Sequence, residues 1–182
     1  ELWVTDGTTA GTRVFADLLP GPDSSRPSDL VVAGNRLYFA ARSGEFGREL
    51  WVSDGTAGGT RPAADLNFGL GDSNPRRLTA LGSSVVFQAE IRVNGGTVFK
   101  PFISDGTESR TVRLDGLLLN TPMATSEFVP LGNRLFLSAE TRDSGTDLWA
   151  SGGTEGDALL VKDINPGGDD SVSRLTVLGD RL

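Results

Sequence analysis

The feature that most constrains the fold of this chain is an internal repeat of about 48 residues. The segment ELWVTDGT begins at Glu1, ELWVSDGT at Glu49, KPFISDGT at Lys100 and DLWASGGT at Asp147, so successive copies start 48, 51 and 47 residues apart. Markers that recur in constant order indicate a repeat architecture. Two further motifs keep step with the first: AGNRLYFAA at Ala33, LGSSVVFQA at Leu81, LGNRLFLSA at Leu131 and LGDRL at Leu178, and DLLPGPDSSRP at Asp17, DLNFGLGDSNP at Asp65 and DINPGGDDS at Asp163.

Each repeat contains four short runs that are typical of β-strands. The runs alternate, carry β-branched and aromatic residues, and lie between clusters of Gly, Asp, Asn and Pro. No stretch keeps the helical period of about 3.6 residues. Four strands in a unit of about 40–50 residues are typical of a propeller blade. We therefore predict an all-β fold, a β-propeller of four-stranded antiparallel blades of about 48 residues. The predicted strand order is LTALG, NRLYFAA, ELWVS and TRVFADL, from the axis outward.

We predict one repeat domain over residues 1–182. It divides into a partial blade at 1–26, whole blades at 27–73, 74–124 and 125–171, and the start of a next blade at 172–182. The first part contributes two strands, and the run from Val172 to Leu178 contributes one inner strand. An open propeller leaves strand edges and an apolar face in water. We therefore expect this chain to be a segment of a larger propeller, with assembly of two or more copies as the alternative.

Composition excludes several classes of site and partner. The sequence has no Cys and no His, which rules out disulfides, thiolate zinc sites, Ser-His-Asp triads and histidine metal clusters. The net charge is −7 and the basic residues form no cluster, which argues against nucleic-acid binding. No run of about 18 apolar residues is present, so we predict no membrane span in this segment.

One large aromatic ring occupies the same position of each repeat. Trp3, Trp51 and Trp149 follow the acidic residue of the motif, and Phe102 takes their place in the third repeat. A ring at a fixed position of every unit is what packing between blades requires. We predict inter-blade packing, and an aromatic platform for a sugar is the alternative.

The Asp-Gly-Thr step after each of these strands predicts a turn. An Asp side chain can accept the backbone N–H two residues on, and Gly supplies a positive φ. The third repeat replaces the second Gly of the motif by Arg110, and the fourth has Gly152 for the Asp and Asp157 for the second Gly. We interpret this variation as a turn that degrades from repeat to repeat, because a catalytic carboxylate would not be lost. The three Asp residues concerned are Asp6, Asp54 and Asp105.

The acidic residue that precedes each aromatic ring is a candidate for cross-strand ion pairing. Glu1, Glu49 and Asp147 hold this position, and Arg36 and Arg134 lie at matching positions of the second strand. We predict that these groups pair, each pair contributing about 0.2–1 kcal/mol.

The Asp-rich loops between repeats are the candidates for metal chemistry. Ca²⁺ takes about 6–8 oxygen ligands of the carboxylate, carbonyl and hydroxyl kinds found there. Solvated turns are the simpler interpretation, and we assign no cofactor, with calcium as the alternative. The carboxylates concerned are Asp17 with Asp23, Asp65 with Asp72, and Asp163 with Asp169 and Asp170.

Catalysis by paired carboxylates finds little support in the sequence. Glycoside hydrolysis needs two acids about 5–10 Å apart in one pocket. The acids that break the repeat, Glu90, Glu127 and Glu140, share no sequence context. We predict that the chain is not an enzyme, and we assign no catalytic, cofactor-binding or metal-binding residue.

The motifs ELWVTDGTTAGT, ELWVSDGTAGGT, GNRLYFAA and DINPG resemble the ELWxxDGT repeat family of bacteria. The resemblance extends over almost the whole chain and is weakest in the third repeat, at KPFISDGTESRT. It implies a propeller-like fold and a secreted or cell-surface bacterial protein. It implies no catalytic residue.

Together these features predict a non-enzymatic extracellular or cell-surface module for protein interaction or structural assembly. The partner would be another protein or a further copy, joined through open blade edges. A carbohydrate-binding propeller is the alternative, with equivalent polar and aromatic pockets between blades. A polysaccharide hydrolase or lyase is a third hypothesis, which predicts one non-repeating acidic cluster at the axial opening.

Overall fold

A computed structural model describes residues 1–93, 96–114, 127–141, 145–163, 165–166 and 172–182. Within them the regular structure is β, apart from one turn of 3₁₀ helix at Glu108–Arg110. The described strands are β1 (Leu2–Val4), β2 (Arg13–Ala16), β3 (Ser28–Ala33), β4 (Arg36–Ser43), β5 (Gly47–Ser53), β6 (Arg61–Ala64), β7 (Arg76–Leu81), β8 (Ser84–Val93), β9 (Gly96–Ser104), β10 (Val112–Arg113), β11 (Phe128–Leu131), β12 (Arg134–Thr141), β13 (Gly145–Ser151) and β14 (Leu159–Lys162).

These strands form four antiparallel sheets, in which neighbours in the chain are neighbours in the sheet. Sheet 1 contains β1 and β2, sheet 2 contains β3 to β6, sheet 3 contains β7 to β10, and sheet 4 contains β11 to β14. Short connections between successive strands favour this up-and-down order. The predicted all-β class, the four strands of each complete unit and their order are confirmed.

The strand predicted from Val172 to Leu178 is wrong. The described residues after position 171 contain only an isolated bridge between Leu178 and Arg181. A strand persists only where a neighbour completes its hydrogen bonds. Among the described residues, no strand pairs with residues 172–177.

Consecutive sheets pack face to face through three apolar clusters. The register of the second and third strands is the same in each complete sheet, with Leu37 opposite Ser53, Val85 opposite Ser104 and Leu135 opposite Ser151. Equivalent side chains therefore face the same way in each sheet. Leu2, Phe39 and Trp51 join sheets 1 and 2; Tyr38, Leu50, Val52, Val85, Phe87 and Phe102 join sheets 2 and 3; Val86, Ile103, Leu114, Leu135 and Leu137 join sheets 3 and 4.

The first strands of successive sheets lie beside one another. β3 contacts β7, and β7 contacts β11. The two strands are joined at their bulges, where the backbone N–H of Arg77 in β7 donates to Oδ1 of Asp29 in β3 at 3.0 Å. This link fixes the first strands of sheets 2 and 3 relative to each other. Within the described part of the chain, no helix has the length and apolar composition to cross a bilayer.

Candidate functional site

The repeated aromatic side chains fill the spaces between sheets. Trp51 is 6% exposed and stacks on its cross-strand neighbour Phe39, with ring centroids 6.3 Å apart. Its Nε1–H donates to the carbonyl of Ala41 at 3.1 Å. Phe102 stacks on Phe87 at 5.6 Å in the same way. Both stacks face the preceding sheet, which confirms the predicted packing between units.

The same ring position is uncovered at sheet 1. Trp3 is 60% exposed, and its cross-strand neighbour Val14 is 41% exposed. Trp149, by contrast, is half-buried against the cluster between sheets 3 and 4. The face of sheet 1 that carries Trp3 therefore has no sheet packed on it in the described structure, and we name Trp3 and Val14 the leading face.

The opposite end of the stack has a second partly uncovered face. Phe136 lies opposite Ala150, which lies opposite Leu159, so the three side chains share one face of sheet 4. Leu159 is 71% exposed and Phe136 is half-buried. The equivalent of Phe136 in sheet 2 is Tyr38, which sheet 3 buries completely. We name Phe136, Ala150 and Leu159 the trailing face.

The Asp-Gly-Thr segments form the predicted turns. Oδ1 of Asp54 accepts the N–H of Thr56 at 2.9 Å and its hydroxyl at 2.7 Å, and Gly55 has φ +90°. The Thr56 hydroxyl oxygen in turn accepts the N–H of Gly59 at 2.9 Å. Hydrogen bonds from Thr56 lower the pKa of Asp54. Asp6 and Asp105 accept the same pair of donors from Thr8 and Thr107.

The fourth repeat keeps the carboxylate in the turn by moving it to the other end. Asp157 accepts the Ser151 hydroxyl at 2.5 Å and the N–H of Gly152 at 2.8 Å. In the second repeat, a Cβ on Gly59 would lie 2.1 Å from Oδ1 of Asp54. A carboxylate at one end of the loop therefore requires a glycine at the other. The prediction of stepwise degradation is wrong for this repeat, because Gly and Asp have exchanged places.

The third repeat accommodates Arg110 by changing the backbone. Residues 108–110 form the 3₁₀ turn, and Nε of Arg110 lies 3.7 Å from Oδ2 of Asp105. The side chain that would occupy the glycine position is thereby turned outward into an exposed ion pair. Such a pair contributes little, on the order of 0–1 kcal/mol.

The acidic residue before each ring clamps the loop that leads to the next sheet. Glu1 accepts the N–H of Leu18 at 2.7 Å, and the N–H and hydroxyl of Ser25 at 3.2 and 2.9 Å. Glu49 accepts the N–H of Leu66 at 3.2 Å, and the N–H and hydroxyl of Ser73 at 3.0 and 2.5 Å. We name these two arrangements the Glu1 clamp and the Glu49 clamp.

Pairing of Glu1 and Glu49 with arginine, as predicted, is wrong. Arg36 instead donates to the carbonyl of Asp105 in the turn of sheet 3. A carboxylate can accept several backbone and hydroxyl donors, so burial does not require a cation. The clamp serine follows its Glu by 24 residues in both repeats, and this constant spacing is the sequence signal that the motif analysis missed.

The Asp-rich loops use their carboxylates on protein donors where they are described. Asp72 accepts Nη2 of Arg42 at 2.5 Å and the N–H of Arg48 at 2.8 Å, and Asp65 accepts the N–H of Gly69 at 2.9 Å. The structure therefore does not join Asp65 and Asp72 into one ligand set. Within the described ranges, no group of three or more Asp or Glu residues is placed to hold a metal. Asp17, Asp23 and Asp163 are described, and Asp169 and Asp170 lie outside the described residues.

The acids that break the repeat have different surroundings. Glu90 accepts the side-chain amide of Asn74 at 3.3 Å, and Glu127 is exposed. The side chain of Glu140 lies outside the described part of the structure.

A polar cavity of about 670 Å³ opens where the loop after β2 meets the hairpin between β4 and β5. Arg48 forms its floor, with Nη1 donating to the carbonyl of Arg26 and Nη2 to the Ser28 hydroxyl, both at 2.8 Å. We name this cavity the arginine groove. Its charged and amide residues are Asp23, Arg26, Arg42, Arg48, Asp72 and Asn74.

No protein-family model matches the chain, and a search of curated proteins found no similar sequence.

Proposed function

We propose that the chain is a non-enzymatic β-propeller module, at the cell surface or outside the cell, that acts through protein interaction or structural assembly. The propeller architecture is supported by antiparallel four-stranded sheets that stack in chain order with their first strands adjacent. The location is carried over from the resemblance of the repeated motif alone. The non-enzymatic role is supported by the use of the motif residues within the fold.

Those motif residues are engaged in packing and in turns. Trp51 and Phe102 are buried between sheets, Asp54 and Asp105 are bonded within their turns, and Glu49 is bonded to the connecting loop. A residue engaged in this way holds the shape of the module. Interaction would then use surfaces that the repeat leaves uncovered.

The exposure of Trp3 is the observation that carries the proposal. Its counterpart Trp51 is covered by a neighbouring sheet of the same kind, whereas Trp3 is 60% exposed. We therefore expect the leading face to bind another sheet of this repeat type. Wherever two sheets of this chain pack together, the face of one sheet already covers the aromatic ring at this position of the next. In a solution of this chain, the trailing face of a second copy would provide that sheet.

Sedimentation equilibrium tests this association. We expect the chain to associate in a concentration-dependent way, because burial of Trp3 removes a large apolar ring from water. Trp3→Arg should shift the population to monomer. Phe68→Arg is the matched control, since Phe68 is 91% exposed but lies in the loop after β6, away from both faces. A wild-type chain that stays monomeric at millimolar concentration, or a Trp3→Arg variant that associates as strongly as wild type, would contradict the proposal.

A carbohydrate-binding module is the second candidate, and the arginine groove favours it. Saccharides are bound largely through hydrogen bonds to their hydroxyl groups, and the groove presents Asp23, Ser24 and Asn74 beside three guanidinium groups. The predicted sugar platform is not supported at Trp51 and Phe102, because both rings are buried. The sugar would therefore bind to polar groups in one groove.

A further inference from the structure

We propose that the arginine groove binds an acidic saccharide, holding a sugar carboxylate with Arg26 and Arg42 and sugar hydroxyls with Asp23 and Asn74. This inference rests on the carbohydrate-binding candidate and is independent of assembly through the leading face. The arginine groove has a volume of about 670 Å³, which lies within the range of about 300–1,000 Å³ that is usual for small-molecule sites.

Three guanidinium groups from three separate elements converge on the groove of a chain whose net charge is −7. Arg26 comes from the loop before β3, Arg42 from β4 and Arg48 from β5. Only Asp72 among the lining carboxylates is bonded to one of them, through Arg42. The groove lining therefore carries three guanidinium groups and two carboxylates, Asp23 and Asp72, and the Asp29 carboxylate interacts with Arg48 from outside the lining.

The groups differ in how much donor capacity remains for a ligand. Arg48 is held in place by the Arg26 carbonyl and the Ser28 hydroxyl, so it forms a fixed floor of the groove. Arg42 uses one N–H on Asp72 and is 51% exposed. The guanidinium of Arg26 is exposed and makes no hydrogen bond within the described residues. Because a guanidinium carries five N–H donors in a planar fork, Arg26 and Arg42 can each bind a carboxylate.

The remaining lining favours a saccharide over a peptide. Asp23, Ser24 and Asn74 supply acceptors and donors for hydroxyl groups, whereas the apolar lining consists of Leu19 and Pro27. No aromatic ring lines the groove, so the apolar anchor pocket that usually dominates peptide binding is missing among these residues. A ligand that combines carboxylate groups with several hydroxyls matches this surface.

The groove is not a by-product of the repeat. In the next unit, Asn74 occupies the position of Arg26, and Glu90 the position of Arg42. Phe99 replaces Arg48, and the Arg76 guanidinium lies 3.3 Å from its ring centre. In sheet 3, therefore, Glu90 places a negative charge where sheet 2 has the positive charge of Arg42. The stacked Arg76 and Phe99 side chains cover the position that corresponds to the floor of the arginine groove. Arg26 and Asn74 both have φ 47°, so the two positions share the same positive φ.

This shared backbone conformation defines a variant that removes the charge without disturbing the fold. Arg26→Asn introduces the residue that the next repeat already carries at the same φ. Isothermal titration calorimetry with a trimer of α-1,4-linked galacturonate should show saturable binding to the wild-type chain. We expect Arg26→Asn to weaken it about tenfold or more, as for loss of a charge-assisted hydrogen bond. Arg13→Gln is the matched control, because Arg13 is exposed on β2 and does not line the groove.

Two further probes separate this inference from the broader candidate. Maltotriose, the neutral trimer, should not compete, and sodium sulfate should compete only weakly, because neither presents a carboxylate together with hydroxyls. Binding of maltotriose as tightly as galacturonate trimer would overturn the acidic-saccharide inference while leaving the carbohydrate-binding candidate in place. Sulfate binding of equal strength, no galacturonate binding at millimolar concentration, or wild-type affinity in Arg26→Asn would each overturn the inference.

Discussion

The ELWV segments that begin at Glu1 and Glu49 have identical sequences but different structural surroundings. Trp51 is 6% exposed and Trp3 is 60% exposed, although both follow the same residue and begin the same kind of turn. Glu49 is completely buried, whereas Glu1 is half-buried. The difference comes from the neighbouring sheets, because sheet 2 is covered on both faces and sheet 1 on one. A repeated motif therefore fixes which way a side chain faces, and the adjacent sheet determines how much apolar area that side chain buries.

The two clamps show the same contrast in electrostatics. Both carboxylates accept one loop N–H and both donors of a serine. Burial raises the pKa of Glu49 to about 7, against the hydrogen bonds from Ser73 and Leu66 that lower it. For Glu1 burial acts in the same direction, but the hydrogen bonds from Leu18 and Ser25, together with the positive charge of the α-amino group, outweigh it and the pKa is lowered. The opposite shifts follow from the deeper burial of Glu49 and from the nearby charges, because the Asp65 carboxylate raises the pKa of Glu49 whereas the α-amino group lowers that of Glu1.

The fourth repeat provides the converse case, in which different letters produce the same interaction. Asp157 restores the carboxylate of a turn whose usual position holds Gly152. The turn is local and depends only on residues within the loop. Its geometry is therefore independent of whether a neighbouring sheet covers it.

Of the comparisons between the two repeats, replacement of Trp51 and of Trp3 should give the largest difference in the free energy of unfolding. Trp51→Ala should lower the free energy of unfolding by about 3–5 kcal/mol, because it removes a buried ring and leaves a cavity. Trp3→Ala should cost less than about 1 kcal/mol in the monomer, because most of its ring is already in water. Urea denaturation followed by circular dichroism measures both values. Equal losses for the two variants would contradict the importance of the neighbouring sheet.

The Glu1 clamp and the Glu49 clamp should differ by an intermediate amount in how they make the free energy of unfolding depend on pH. The pKa of Glu49 is about 7 in the folded protein, above its ordinary value of 4.5, so the folded state binds the proton more tightly. The stability that this protonation provides is fully present below pH 4.5 and is lost as the pH rises through 7. Between pH 4 and pH 8, the stability of wild type relative to Glu49→Gln should fall by about 3 kcal/mol.

Glu1→Gln is the matched comparison and should have the opposite sign. Because the folded pKa of Glu1 is lowered, its carboxylate contributes stability above pH 4.5 that is lost as the pH falls through the folded value. Urea titrations of wild type, Glu1→Gln and Glu49→Gln at several pH values measure both effects. Parallel curves for wild type and Glu49→Gln would show that burial does not control the second clamp.

The turns should give the smallest effect, and the same effect in both repeats. Gly11→Ala and Gly59→Ala should each cost about 1–2 kcal/mol, because the new Cβ would lie 2.0 and 2.1 Å from the carboxylate oxygens of Asp6 and Asp54 and would displace them from their threonine donors. The double variant Asp54→Gly with Gly59→Asp copies the fourth repeat. Its free energy of unfolding should therefore lie closer to that of wild type than the free energy of unfolding of Gly59→Ala does. Thermal unfolding compares the variants, and a double variant no more stable than Gly59→Ala would refute the exchange of Gly and Asp.

Several features of this molecule could be predicted because they depend on short stretches of chain. The four-strand order of each complete unit follows from alternation and from the Gly-containing turns. The turn at Asp54 follows from the Asp-Gly-Thr letters, and the direction of Trp51 follows from its fixed position in the strand. The arginine groove could not be predicted, because Arg26, Arg42 and Asp72 lie far apart in the chain and share no repeat position.

The strands, the turns and the face on which each repeated side chain lies follow from the amino-acid sequence, because period, turn chemistry and hydrophobicity act over a few residues. Tertiary structure alone decided that Glu49 bonds to Ser73 and not to an arginine, that the segment after residue 171 forms no strand, and that three arginines line one groove. These outcomes depend on which surfaces meet, and burial and electrostatic free energies arise only when they do.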